Sequence, residues 1–187
     1  METGQLTLIG SVEAPSPDDH PRWVEIDQSD STLYVLMEAG SRICIYTLDS
    51  STRMPVYTDQ HYPLIPPDFS IFHPKMYRAD VCFRTQSGQH LFATSRSNSP
   101  DLTGYIAAFK LGERGQVERQ ICLNPTPTSG GHSNAVSPSP WSDEWLALCD
   151  DEKGFVEIYR WKDEVLGRVA HLDIHESGFG MNAIWYD

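Results

Sequence analysis

One unit of sequence occurs three times in this chain, and that recurrence narrows the possible folds more than any other feature. The copies are "RWVEIDQSDSTLYVLMEAGSRICIYTL", "RADVCFRTQSGQHLFATSRSNSPDLTGYIAAFKL" and "SNAVSPSPWSDEWLALCDDEKGFVEIYRW". Each opens with a short apolar stretch and a polar turn. A nearly all-apolar stretch follows, ends in a polar residue, and leads through a second turn to a stretch with a central aromatic. The polar ends superpose as Glu38, Arg96 and Asp150, and the aromatics as Tyr46, Phe109 and Tyr159. Counted from Arg22, Arg78 and Ser133, the polar ends lie 16, 18 and 17 residues downstream, and they recur after 58 and then 54 residues.

The apolar runs are short and rich in β-branched and aromatic residues, which marks them as strands. With 13 glycines and 13 prolines scattered along the chain, no dozen residues keep a 3.6 period. "WKDEVLGRVAHL" comes nearest to a helix, but Gly167 and the β-branched neighbours weaken it. Each unit has room for a fourth, more polar strand, such as "QVERQICL" or "GRVAHLDI". Four antiparallel strands recurring at this spacing predict a β-propeller blade, whose sheet buries both faces against its neighbours. A β-sandwich with chance similarity between its strands is the alternative.

The expected fold is therefore all-β: a single partial propeller over residues 1–187, with units at 20–60, 76–125 and 132–175. Lone strands are expected at "QLTLIGSVE" and at the terminal "GMNAIWYD", the latter over residues 181–187. Three blades do not close a ring. The expectation is the C-terminal half of a larger propeller, or a half-propeller that self-associates or pairs with the missing blades.

Charge restricts the partners. Fourteen Lys and Arg stand against 26 Asp and Glu, a net charge of −12, so nucleic acid and anionic membranes are not expected partners. The opening "METGQLTLIG" has no basic region, and no run approaches the roughly 18 apolar residues of a membrane span, so a cytoplasmic location is expected. Cys44, Cys82, Cys122 and Cys149 lie apart in apolar runs and are expected as core thiols.

In a propeller the first strands line the central channel, and strand ends with their loops form its mouth. The candidate positions are Arg22, Glu38, Arg78, Arg96, His132, Asn134, Asp150 and Asn182. A charge ending an apolar strand either faces the channel or is paired. Scarce arginines gathered here suit carboxylate recognition; the alternative is an axial salt bridge that only ties blades together. His20 in "DDHPRW" and His132 in "GGHSN" precede first strands and are candidates for proton transfer or for capping a turn. His61, His73, His90, His171 and His175 have no supporting context. No metal, nucleotide or cofactor motif occurs, and none of these groups is expected.

"PRWVEI…YVLMEAGSRICIY", "FATSRSN", "GGHSNAVSPSPWSDEWLALCDDEKGFVEIYRW" and "GFGMNAIWYD" resemble the fungal carboxy-cis,cis-muconate cyclases. These are 3-carboxymuconate lactonizing enzymes, on the seven-bladed lactonase propeller shared with bacterial-type 6-phosphogluconolactonases. The resemblance runs from about His20 to Asp187 and implies a cofactor-free closure of a muconate carboxylate onto an alkene. The ligand it implies is a small tricarboxylate metabolite. It carries Arg22, Glu38 and Arg96 over as site residues, whereas the family's catalytic histidine belongs to an earlier blade. Arg96, Glu38 and His132 are thus the catalytic candidates, and Arg22, Arg96, Arg78 and Asn134 the substrate-binding ones. Hydrolysis of a sugar lactone and non-catalytic binding of an organic anion or partner chain are the alternatives.

Overall fold

The computed structural model describes residues 6–72, 75–175 and 182–186. Three four-stranded antiparallel sheets follow one another along the chain. The first holds β1 (Pro21–Ile26), β2 (Thr32–Met37), β3 (Arg42–Leu48) and β4 (Pro55–Pro63). A short helix, α1 (Pro67–Phe72), leads to β5 (Tyr77–Arg84), β6 (His90–Ser97), β7 (Tyr105–Leu111) and β8 (Val117–Pro125). The third sheet holds β9 (Asn134–Pro138), β10 (Trp145–Asp150), β11 (Phe155–Lys162) and β12 (Val165–Asp173). Every strand pairs only with its sequence neighbours, so each unit is a meander.

The apolar runs are explained by packing on both faces. Tyr34, Leu36, Ile43 and Ile45 of the first sheet meet Leu91, Ala93, Ala107 and Phe109 of the second in one core layer. Phe92, Ile106 and Ala108, on the opposite face of the second sheet, meet Val136, Leu146, Leu148 and Trp161 of the third. The first strands β1, β5 and β9 contact one another in succession, so the sheets fan out from one side. The protein is an open arc of three blades from a β-propeller, the fold expected from the recurrence. No helix among the described residues is long and apolar enough to cross a membrane.

Turn chemistry settles the one helix-like stretch. In "WKDEVLGRVAHL" Lys162 pairs with Val165, and Asp163 and Glu164 between them have φ of 51° and 62°. Two successive residues at positive φ make the tight turn whose twist suits a hairpin. Gly115 shows why a glycine is needed between blades. At φ 72° it brings its carbonyl to the Tyr34 hydroxyl, which donates to it at 2.5 Å, and a Cβ there would lie 2.5 Å from Asp27 Cβ.

Three expectations need correction. Gln5 of the expected first lone strand lies outside the described residues; residues 6–13 of that stretch form no strand, and Leu6 and Leu8 stand exposed. Nor do residues 182–186; they are held by Trp185, whose indole N–H donates to Ser137 O at 2.9 Å and whose ring meets Trp141 edge-on. Residues 181 and 187 of the expected terminal strand lie outside the described residues. Finally, the third unit is offset by one. Leu33, Leu91 and Leu146 oppose the three superposed aromatics, and counting on from them aligns Met37, Ser95 and Asp150. Asp151, not Asp150, is therefore the counterpart of Glu38 and Arg96. The cysteines are free, with Cys44, Cys82 and Cys149 buried.

Candidate functional site

Two β-bulges build the centre of the site. Between Pro21 and Trp23 the β1 strand has one residue more than β2 needs, and that residue is Arg22. Between Ala79 and Cys82, β5 sets Asp80 and Val81 opposite the single residue Thr94. A bulge re-aims side chains that strict alternation would send elsewhere. Here it turns a cation of the first sheet and an acid of the second toward each other.

Glu38 follows β2, and its backbone fixes where its side chain starts. Its N–H donates to His20 O at 2.9 Å, and its carbonyl accepts from Ala79 N at 3.0 Å, joining the first two sheets. Its Oε1 accepts from Arg22 Nη1 at 3.3 Å and from Arg96 Nη2 at 3.1 Å. Arg22 Nη2 also lies 2.9 Å from Asp80 Oδ1, and the Asp80 side chain is wholly buried. Asp80 Oδ2 accepts the backbone N–H of Asn134 from the third sheet. Burial pushes the Asp80 carboxyl above its ordinary range, against the Asn134 N–H and the Arg22 and Arg96 charges.

Arg78 stands directly opposite Arg96 across the β5–β6 pair, so both side chains leave the same face of the sheet. Like charges placed directly opposite repel. Arg96 is compensated by Glu38, whereas Arg78 forms no ion pair among the described residues. With both acids ionised, Arg22 and Arg96 balance Glu38 and Asp80, and Arg78 across from Arg96 adds a further positive charge in a chain of net charge −12. Arg96 gives Glu38 one of its five N–H donors, and its buried Nε has no hydrogen-bond partner among the described residues.

Beside Arg96 opens a cavity of about 210 Å³, lined also by Ser97, Asn98, Ser129, His132 and Glu152. Its wall is the "GGHSN" loop. Gly130 and Gly131 take φ of 92° and 59°, and a Cβ at Gly131 would lie 2.7 Å from Asp151 Oδ1. That oxygen accepts the N–H groups of His132 and Ser133, at 2.9 and 3.0 Å. Asp151 Oδ2 sits 3.4 Å from His132 Nδ1, and the His132 side chain is 79% exposed. A larger cavity, about 440 Å³, lies at the other end of the same strands between Asp27, Arg84, Lys110 and Gly115. None of the sequence candidates borders it.

Arg22, Glu38 and Arg96 thus come together, with Arg78 beside Arg96 and His132 across the cavity. Asn134 is placed behind them: it is 1% exposed, and its side-chain amide donates to Ser95 O at 2.9 Å. It braces the arginines and does not line the cavity. Asp150 holds its own turn through Glu152 N and Lys153 N, His20 contributes its carbonyl, and Asn182 borders a separate cavity with Val136 and Trp185. Asp80 escaped the sequence reading, although an acid between Ala79 and Val81 was a signal. His171 was also undervalued, since Nδ1 lies 2.9 Å from Glu157 Oε1 and Nε2 3.0 Å from Asp173 Oδ1. Among the described residues no group of three or more His, Cys, Asp or Glu is placed to hold a metal ion.

No protein-family model matches the chain. The Carboxy-cis,cis-muconate cyclase of Neurospora crassa is 59% identical over 191 aligned positions, which cover 100% of this chain and 52% of that protein. The chain thus spans about half the length of this curated relative. Among solved structures, the periplasmic gluconolactonase of Pseudomonas aeruginosa superposes with a TM-score of 0.69 at 13% identity, over 85% of this chain and 41% of that one. A protein from Lactobacillus plantarum superposes with a TM-score of 0.64 at 14% identity, over 86% and 44% of the two chains. At such identities the likeness is one of fold.

Proposed function

The chain is a close homologue of about half of a fungal carboxy-cis,cis-muconate cyclase, and from that premise we propose that it carries the carboxylate-recognising arginines of a cofactor-free cycloisomerase acting on a carboxymuconate. The observation that carries the reading is the pair Arg22 and Arg96 sharing one oxygen of Glu38, with Arg78 opposite Arg96 and without an ion pair among the described residues. A carboxymuconate has three carboxylates, and Arg22 and Arg96 come together here, with Arg78 across the strand pair from Arg96. Planar, charge-assisted donors suit that ligand better than lysines would.

The chemistry follows from the placement. One substrate carboxylate oxygen adds to the alkene carbon β to a second carboxylate, forming the C–O bond of a lactone. The π pair moves to the α carbon and spreads into that second carboxylate as an enolate. Arg96, with donors to spare, stabilises the charge where it develops. Glu38 holds the two guanidiniums at fixed spacing. His132, with Nδ1 toward Asp151, delivers the proton to the α carbon. No oxidation state changes, and the trianion takes up one proton as it closes. The reading places the reaction in the cytoplasm, which suits four free cysteines.

Incubation with 3-carboxy-cis,cis-muconate tests the proposal. Expected are loss of the conjugated-diene absorbance and uptake of one proton per molecule closed, both abolished in Arg96→Ala. Binding without any loss of diene absorbance would overturn the cyclase reading and leave an anion-binding propeller.

A further inference from the structure

Asp80 is an acid where the fold alone does not ask for one. Its side chain is wholly buried in β5, between Ala79 and Val81. Burying a carboxylate is costly unless it is paired and hydrogen-bonded, and an amide or an apolar side chain would fill the same space with less penalty. What the carboxylate does is join two things. Oδ2 takes the backbone N–H of Asn134, which belongs to a strand and cannot move independently of the third sheet. Oδ1 forms an ion pair with Arg22 Nη2 at 2.9 Å, close enough for charge attraction though not aligned as a hydrogen bond.

Arg22 needs such a post. Its side chain is 33% exposed, and the neighbouring Pro21 and Val24 are exposed as well, so little packing confines its rotamers. Its other partner, Glu38, is itself 26% exposed and shared with Arg96. A solvated ion pair holds a side chain weakly, whereas a buried acid pinned by a backbone amide is a rigid anchor. The bulges that expel Arg22 from the β1 ladder and Asp80 from the β5 ladder serve this one contact.

We infer that Asp80 is a positioning residue: its buried carboxylate, braced by the Asn134 N–H, fixes the Arg22 guanidinium in the orientation that meets a substrate carboxylate, without touching the substrate itself. The inference rests on the arginine site proposed above. Burial raises the Asp80 carboxyl pKa, so the anchor weakens as acid neutralises it.

Asp80→Asn keeps the shape and the acceptor for Asn134 and removes only the charge. Two measurements on the full chain decide its role. The first needs no ligand: the ¹⁵N guanidinium signals of Arg22, assigned by their loss in Arg22→Ala, should report slow rotation in the wild type and markedly faster rotation in Asp80→Asn. The second is a double-mutant cycle on 3-carboxy-cis,cis-muconate affinity. Asp80→Asn should weaken binding about 10-fold when Arg22 is present and have no further effect in Arg22→Ala. Independent, multiplying effects with an equally slow Arg22 in both proteins would overturn the inference. If Asp80→Asn does not fold, Arg22→Gln serves: the Asp80 carboxyl, followed by ¹³C NMR, must then titrate at higher pH, and an unchanged titration overturns the pairing. Absence of any binding by the wild type would instead retire the arginine site, while the Arg22 signals would still decide whether Asp80 holds it.

Discussion

Arg96 reaches Glu38 across the seam between two sheets, at 3.1 Å, although 58 residues separate them in the chain. That span is also the first period of the repeat, so equivalent strand ends of neighbouring blades carry opposite charges. The pair ties the blades together at the end where Arg22 joins them.

Removing the shared acceptor should therefore cost stability in a salt-dependent way. In Glu38→Ala, Arg22 keeps Asp80, but Arg96 loses its ion-pair partner and still stands opposite Arg78. Because the Glu38 side chain is 26% exposed, the loss should be modest, about 1 kcal/mol at low ionic strength. Calorimetric melting at low and high salt checks this. The difference from wild type should shrink as salt screens the arginines.

A second prediction concerns the rim of the third blade. Glu157 is wholly buried and accepts from Tyr159 Oη at 2.5 Å, from Arg168 Nη1 at 2.8 Å and from His171 Nδ1 at 2.9 Å. Its burial, which opposes ionisation, is outweighed by these partners, and its pKa is lowered. The Glu157 and Asp173 carboxylates in turn raise the His171 pKa above its ordinary 6.5. A raised histidine contributes stability that is fully present below its unfolded pKa and lost as pH rises through the folded one. The contribution of His171 to wild-type stability should thus decline as pH rises above about 6.5, and His171→Gln should flatten that decline. Urea melts at several pH values would show it; parallel profiles would count against the charge on His171.

The blade seam offers a third. The Tyr34 hydroxyl, buried between sheets, donates to Gly115 O. Tyr34→Phe should lose about 1 kcal/mol. Gly115→Ala should lose more than that, roughly 1–3 kcal/mol, since φ 72° disfavours a side chain and its Cβ would press on Asp27 and Tyr34. Denaturant titration of both variants gives the order directly; a neutral Gly115→Ala would contradict it.

The strands were legible because both faces of a blade are buried, which writes an apolar run into the sequence wherever a middle strand lies. "LYVLM" and "LFAT" needed no knowledge of partners. Residues 6–13 and 182–186 misled for the complementary reason. Short apolar stretches such as "LTLI" and "AIWY" suit a strand, but a strand exists only where an edge accepts it, and edges are non-local. In the site, Glu38 and Arg96 were visible as charges closing apolar runs. Asp80 was marked only as an acid between Ala79 and Val81; where it points depends on a bulge, and an extra residue in a ladder leaves no mark on the chain itself. The third unit slipped by one residue because Asp150 and Asp151 are adjacent acids that only the β10–β11 register tells apart. His171 meets Glu157 only through the register of the last hairpin, 14 residues apart.

Binding measured by titration calorimetry tests the central claim most directly: that Arg22 and Arg96, held by Glu38, form a polycarboxylate site. The wild-type chain should bind 3-carboxy-cis,cis-muconate, and a monocarboxylate diene much more weakly. Losing a hydrogen-bonded charge contact costs ~2–5 kcal/mol, so Arg96→Ala should bind roughly 30-fold or more weakly. Arg96→Lys should fall between the two, because it keeps the charge and loses the planar fork. Equal affinity of the wild type, Arg96→Lys and Arg96→Ala for the tricarboxylate would contradict the account.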